Sequence, residues 1–259
     1  MEKSLSELFN IKGNVAIVTG ASSGLGVLFA ETLAEAGANL AICARRIERV
    51  EEIAKKLEKD YKVKAFPMKV DVNNEEEVKK FVEETYKKFG RIDILVNNAG
   101  IASIVPSLNV PKEDFSRVID TNLISLFIVA REVAKYMQKR KYGKIINIAS
   151  IYGQVGDVFP VSSYYASKGG VINLTRALAV EWAEHNIYVN AIAPGFFPSE
   201  MTKDVFENEE YMKHIITKTP LRRPGRLEDL KGVLLLLASH ASDYITGQTI
   251  FVDGGWTIW

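Results

Sequence analysis

The 259-residue chain has one cysteine, Cys43, only three histidines, and almost no net charge, since 33 basic against 32 acidic residues leave +1. A lone cysteine forms no intramolecular disulfide and cannot build a cysteine-based zinc site; it fits a reducing compartment, so the cytoplasm is expected. Balanced charge gives no global field to draw nucleic acid or an anionic membrane. No stretch approaches the ~18 to 20 apolar residues of a membrane span, and Glu2, Lys3 and Glu7 stand where a signal peptide would be apolar. Neither nucleic acid nor membrane is therefore an expected partner, and secretion is not expected. His185, His214 and His240 are far apart and have no carboxylate or thiol partners at ligand spacing. No metal site is expected, and these histidines read as surface or capping residues. Cys43 falls in an apolar run and reads as core.

What is present is an ordinary globular composition, 47% hydrophobic and 25% charged, enough to build a core in one α/β domain of roughly 250 residues. Short β-branched runs alternate with longer amphipathic stretches. The pattern predicts strands at Val15 to Val18, Asn39 to Ala44, Val63 to Val70, Ile92 to Val96, Ile145 to Ile148, Tyr188 to Ile192 and Thr249 to Val252. Helices are expected from Gly24 to Ala36, around Val50, Ile53 and Leu57, around Val78, Phe81, Val82 and Phe89, and at about 112 to 139, 164 to 185 and 227 to 239. Continuous apolar strands separated by helix-length segments imply a parallel sheet covered on both faces. The expected architecture is thus a single doubly wound, Rossmann-type domain over 1–259. The segment 196–226, with Pro198, Pro220, Pro224 and Gly225, lacks clear periodicity and reads as an inserted substrate lid.

Directly after the first strand come Thr19, Gly20, Ala21, Ser22, Ser23, Gly24, Leu25 and Gly26, followed by the first helix. Gly20 can turn the chain at positive φ, Gly24 lets backbone approach a pyrophosphate, and Gly26 lets the helix pack closely on the sheet. Backbone N–H groups at that helix N-terminus face the anion. At the end of the second strand, where a carboxylate would accept from the adenosine ribose of NAD, stands Ala44, followed by Arg45 and Arg46. A guanidinium fork suits a 2′-phosphate, so NADP(H) is favoured over NAD(H). The competing reading makes both arginines surface residues opening the next helix, with Arg46 paired to Glu48. Ser22 and Ser23 could add hydroxyls to the same phosphate.

The Gly-x3-Gly-x-Gly spacing resembles the short-chain dehydrogenase/reductase family, and further matches run through essentially the whole chain: Asp71, Asn97-Asn98-Ala99-Gly100, Asn122, Ser150, Tyr164 with Lys168, Pro194-Gly195 and Val252-Asp253-Gly254-Gly255. By that resemblance Asp71 and Val72 flank the adenine, Asn97 helps hold the sheet, and Asn98, Ala99, Gly100, Pro194, Gly195 and Ser199 line the cofactor with Leu25. Tyr164 and Lys168, four apart at a helix start, share one face. A phenol with a pKa near ~10 is a poor base, and an adjacent ammonium together with the oxidised nicotinamide would favour phenolate. Ser150 would hold the substrate oxygen, and Asn122 in the family holds a water that links Lys168 to solvent. Tyr165 has no matching lysine. The resemblance implies reversible hydride transfer between NADP(H) and a ketone or secondary alcohol, in a homotetramer assembled partly through the apolar ending, Phe251 to Trp259. A dinucleotide-binding protein without turnover is the rival reading.

Substrate signals conflict. Gly225-Arg226, Glu228-Asp229-Leu230, Asp253-Gly254-Gly255-Trp256 and the fourteen-residue Ser150 to Tyr164 spacing are similar to gluconate 5-dehydrogenase-like members, whereas Pro194 to Thr202 resembles 3-oxoacyl reductases. The expected pocket is apolar, with Ile101, Ile104, Val105, Ile151, Phe196, Phe197 and Phe206 and no cation in its three flanking stretches. An apolar ketone is favoured, and a sugar acid is the alternative if Lys203, Arg222 or Arg223 folds back over the site.

Overall fold

Strands β1 (Val15–Thr19), β2 (Asn39–Ala44), β3 (Ala65–Lys69), β4 (Ile94–Asn97), β5 (Gly143–Ile148), β6 (Ile187–Pro194) and β7 (Thr249–Val252) form one sheet in the order β3-β2-β1-β4-β5-β6-β7. All neighbours are parallel in this computed structural model, which describes residues 3–258. The strand order reverses between β1 and β4, and a doubly wound sheet opens a ligand crevice at that point, outside the strands' C-terminal ends.

Alternation along each central strand divides the core into two layers. Ala16 and Val18 of β1, with Leu40, Ile42, Ile94, Val96 and Ile146, face α2 (Gly24–Glu35), α3 (Ile47–Tyr61) and α10 (Lys231–Ala238). Ile17, Ala41, Cys43, Leu95 and Ile145 face α4 (Glu75–Phe89), α6 (Ser125–Arg140) and α7 (Ser162–Trp182). Cys43 is core as expected, and burial pushes its thiol up to about 12. Helix α4 begins where Asn74 accepts from the Glu76 and Glu77 amides and ends at Gly90 with φ 73°. A short α1 (Leu5–Leu8) precedes the first strand.

Three elements differ from the sequence expectation. The helix predicted over 112 to 139 is α5 (Lys112–Ile119), a π-helical turn at Asp120–Ile124, and α6. The helix predicted at 227 to 239 opens as a 3-10 turn, Leu227–Leu230, before α10. The segment 196–226 contains α8 (Lys203–Glu207) and α9 (Glu209–Lys218). The Asn208 side chain accepts from the Glu210 and Tyr211 amides and so starts α9. This Asn-Glu-Glu start signal was present in the sequence, but the helix is short and buries only Ile215 fully, so its periodicity is weak.

Candidate active site

A cleft of about 820 Å³ lies at the switch point, over the C-terminal ends of the strands. Of the residues singled out from the sequence, Gly20, Ser22, Ser23, Gly24, Leu25, Arg45, Arg46, Asp71, Val72, Asn98, Ala99, Gly100, Ser150, Tyr164, Lys168, Pro194, Gly195 and Ser199 all line it. The glycine turn is braced from β4. Thr19 Oγ1 accepts from the Asn98 and Ala99 amides, each at 3.0 Å, and Asn98 Nδ2 donates to the Thr19 carbonyl at 2.9 Å. The close packing explains the glycines: a Cβ at Gly26 would sit 2.3 Å from the Gly20 carbonyl oxygen, and Gly20 and Gly24 have φ of 67° and 54°. Asn97 Nδ2 donates to the Leu126 carbonyl, tying β4 to α6.

Beside this turn Arg46 has a partner that neither reading of the sequence named. Its guanidinium reaches Ser22 Oγ at 3.2 Å and Ser23 Oγ at 3.0 Å, and pairs in a fork with Glu200 at 3.0 and 2.7 Å, not with Glu48. One guanidinium thus donates to two hydroxyls and to a carboxylate at the same place, a fork of the kind that also suits a phosphate. Together with the cradle at Gly20, Gly24 and Gly26, these residues fit a dinucleotide cofactor.

At the other end of the cleft, β5 and α7 supply the reactive side chains. Ser150 follows β5 with extended backbone and accepts the Tyr152 amide at 3.2 Å. Lys168 Nζ donates to the Ile148 carbonyl at 2.7 Å and lies 5.5 Å from the Tyr164 ring centre. Without a cofactor, burial displaces both groups from their ordinary values. Desolvation pushes Tyr164 up to about 12, partly opposed by its hydrogen bond with Ser150. Burial pushes Lys168 down to about 8. At this depth the cost of burying phenolate outweighs a lysine that is itself easily neutralised. Desolvation by the protein alone therefore keeps Tyr164 protonated, and a bound oxidised nicotinamide would add its positive charge to that of Lys168 in favour of phenolate.

Asn122 does not line the cleft. It sits in the π-helical turn, fully buried, with Nδ2 donating to the Ile101 carbonyl at 2.8 Å and to Ser167 Oγ at 3.0 Å, while Oδ1 accepts the Ile101 amide at 2.8 Å. Both side-chain N–H groups are spent, so the amide acts as a brace that joins the 100–101 wall to α7.

Residues 20–257 match the family model described as Enoyl-(Acyl carrier protein) reductase. The chain is 39% identical over 251 residues to 5-keto-D-gluconate 5-reductase of Escherichia coli, covering 97% of this chain and 98% of that protein. The chain belongs to the short-chain dehydrogenase/reductase family. As a member of that family it is a nucleotide-dependent oxidoreductase acting on CH–OH groups. It is also 38% identical over 245 residues to the 3-oxoacyl-(acyl-carrier-protein) reductase of Aquifex aeolicus, covering 95% of this chain and 98% of that one. A crystal structure of gluconate 5-dehydrogenase from Burkholderia cenocepacia in complex with NADP and tartrate superposes with a TM-score of 0.94 at 35% identity, over 98% of this chain and 99% of that chain.

Beside Tyr164 this short-chain dehydrogenase/reductase holds a cluster that its sequence did not single out. The Asp157 carboxylate, whose side chain is only 2% exposed, accepts from Tyr152 Oη at 3.2 Å and Lys218 Nζ at 3.2 Å, with His214 Nε2 at 3.0 Å. His214 is therefore not a capping residue but part of a clasp joining α9 to the loop after β5. An aromatic wall adjoins it: Tyr152 lies 6.4 Å from Tyr164 and 6.1 Å from Phe196, and Phe196 lies 5.0 Å from Trp256 between ring centres. Trp256 is 1% exposed, packed within its own chain, which corrects the expectation that it is displayed for a partner. Trp259 lies outside the described residues. Of the expected pocket residues, Ile101 and Phe197 line the cleft, whereas Ile151 is core and Ile104 is 63% exposed. Tyr165 turns its ring against Tyr152, with 4.5 Å between centres.

Proposed function

We propose that this protein is an NADP(H)-dependent reductase of ketones with apolar substituents, working reversibly on the corresponding secondary alcohols. The observation that carries the reading is the meeting of Ser150, Tyr164 and Lys168 in the cleft whose far end holds Arg46, its guanidinium forked on a carboxylate and donating to Ser22 and Ser23. When bound, the nicotinamide supplies or takes up the hydride. In reduction the Ser150 hydroxyl holds the carbonyl oxygen, and Tyr164, kept protonated by its surroundings, gives its proton as negative charge develops there. Lys168 restores that proton and holds the Tyr164 side of the cofactor seat; Asn122, as a positioning residue, fixes the Ile101 wall opposite. Segment 196–226 acts as the lid, closed by the Asp157 clasp. The gluconate 5-dehydrogenase complex with NADP supports the cofactor preference.

The substrate class rests on the aromatic wall and on where the cations go. Lys203 is 69% exposed and pairs with Glu207, Arg223 pairs with Asp229, and the Arg222 guanidinium donates to the Thr217 carbonyl. Lys218 and His214, the cations nearest the wall, are engaged by Asp157. A substrate carboxylate buried there would face an already neutralised cluster and lose several kcal/mol of solvation. The names of the sugar-acid relatives favour the second reading, a gluconate-type polyol or sugar-acid dehydrogenase. Initial rates with NADPH on matched hydrophobic ketones, 3-oxoacyl thioesters and 5-ketogluconate decide between them. The apolar reading expects the highest kcat/KM on the hydrophobic ketone or thioester, and a higher value on 5-ketogluconate overturns it. By the same family reading, the chain works in the cytoplasm as a homotetramer.

A further inference from the structure

The Arg46 site has two walls from distant parts of the chain. Arg46 follows β2, whereas Glu200 lies 154 residues away in the strap between β6 and α8. The strap rests on the glycine turn: a Cβ at Gly24 would meet Ser199 Cβ at 3.2 Å and the Glu200 amide nitrogen at 3.9 Å. It is internally stiffened, since the Ser199 amide donates to Thr202 Oγ1 at 3.0 Å and Thr202 Oγ1 donates to the Phe197 carbonyl at 2.7 Å. From this strap Glu200 crosses the mouth of the cleft, taking both forks of Arg46 and one contact from Arg49 at 3.4 Å.

A carboxylate and a phosphate ester present similar oxygen pairs to a guanidinium. A 2′-phosphate carries close to two negative charges at neutral pH, so it cannot share Arg46 with an adjacent carboxylate without repulsion. The hydrogen bonds from Arg46 hold the Glu200 carboxyl at about 2, so it stays ionised at every working pH.

We propose that Glu200 is a cofactor-specificity residue: an internal anion that occupies the 2′-phosphate seat, which NADP(H) must displace and NAD(H) can leave in place. Displacement undoes the ion pair that joins the strap to the β2 wall, so the phosphate both gains Arg46 and releases the start of the lid. Cofactor selectivity then depends on a residue outside the glycine turn and the β2 end, where its determinants are ordinarily sought. The inference rests on the NADP(H) reading above.

The test is calorimetric titration of wild type, Glu200→Gln and Arg46→Ala with adenosine 2′,5′-bisphosphate and with 5′-AMP. Glu200 is half-exposed, and its glutamine variant keeps the strap's backbone contacts. Removing an exposed competing charge should tighten the bisphosphate roughly two- to fivefold and leave 5′-AMP unchanged within error. Arg46→Ala should weaken the bisphosphate alone. If wild type prefers the bisphosphate and Glu200→Gln binds it no more tightly, the Glu200 proposal is overturned while the cofactor reading stands. If wild type shows no such preference, the cofactor reading fails. In that case a preference that appears in Glu200→Gln still supports Glu200 as the competitor, and its absence overturns the proposal as well.

Discussion

Tyr164 and Lys168 carry pKa values displaced in opposite directions, about 12 and about 8, by the same cause, removal from water. The consequence for pH is directional. Reduction needs protonated Tyr164, and the raised phenol keeps that form abundant through neutral and mildly alkaline pH. Oxidation of the alcohol needs the base form, so its kcat/KM should rise with pH from neutrality upward, the limb belonging to the coupled pair and not to either residue alone. Lys168→Ala should move that limb to higher pH, because the charge that assists phenolate is gone. Paired pH profiles of oxidation and reduction check this; an oxidation rate flat between pH 7 and about 10 would contradict the assignment. Tyr164 and Lys168 were legible because a helix carries residues four apart to one face, and Ser150 because the family pattern places a serine at the end of that strand. The sign of the Tyr164 shift was not legible, since desolvation depends on everything packed around the ring. Nor was the Arg46 partner, because no local pattern links positions 154 residues apart.

Among the elements, the strands were the most readable, as the Val and Ile runs of β1, β2, β4 and β5 are buried along almost their whole length. Helices with a strong polar face, such as α3 and α4, were equally clear. The lid was not, because α8 and α9 bury little of their own surface and take their position from long-range contacts. Asp157 is the hub of those contacts. Asp157→Asn removes the charge that holds Lys218 and faces His214, at a cost of about 1 to 3 kcal/mol. The variant should show a thermal midpoint lower by several degrees, faster protease cleavage within 203–218, and a raised KM for ketone with NADPH affinity unchanged. A midpoint and cleavage rate equal to wild type would show that the clasp does not hold the lid.

At the scale of the whole molecule, the doubly wound sheet explains why one cleft serves both cofactor and substrate. Strand order places the glycine turn after β1 next to the loop after β4, while β5 and β6 deliver Ser150 and the strap to the neighbouring edge. The apolar side chains left outside this arrangement include Val180 on α7, 82% exposed, and Ile258 near the chain end, 81% exposed. Burial of both in the proposed tetramer would remove an apolar surface that a monomer leaves in water. Sedimentation should therefore give four times the 28.9 kDa chain mass, and an active monomer persisting on dilution would rule that assembly out. Trp256 belongs to a different structure, the aromatic wall with Phe196, and if that wall faces substrate as proposed its removal should alter substrate preference before it alters assembly.

The central claim is that this site reduces a carbonyl by giving it the Tyr164 proton while NADP(H) is held elsewhere in the cleft. Its most direct test compares wild type and Tyr164→Phe in two measurements on the same preparations: NADPH binding by fluorescence titration and steady-state ketone reduction. The account predicts nearly unchanged NADPH affinity, because the phenol hydroxyl is the only group removed, and a loss of turnover to below a few per cent of wild type. Retained turnover well above that level, with NADPH still bound, would contradict the assignment of Tyr164 as the acid and with it the proposed chemistry of the site.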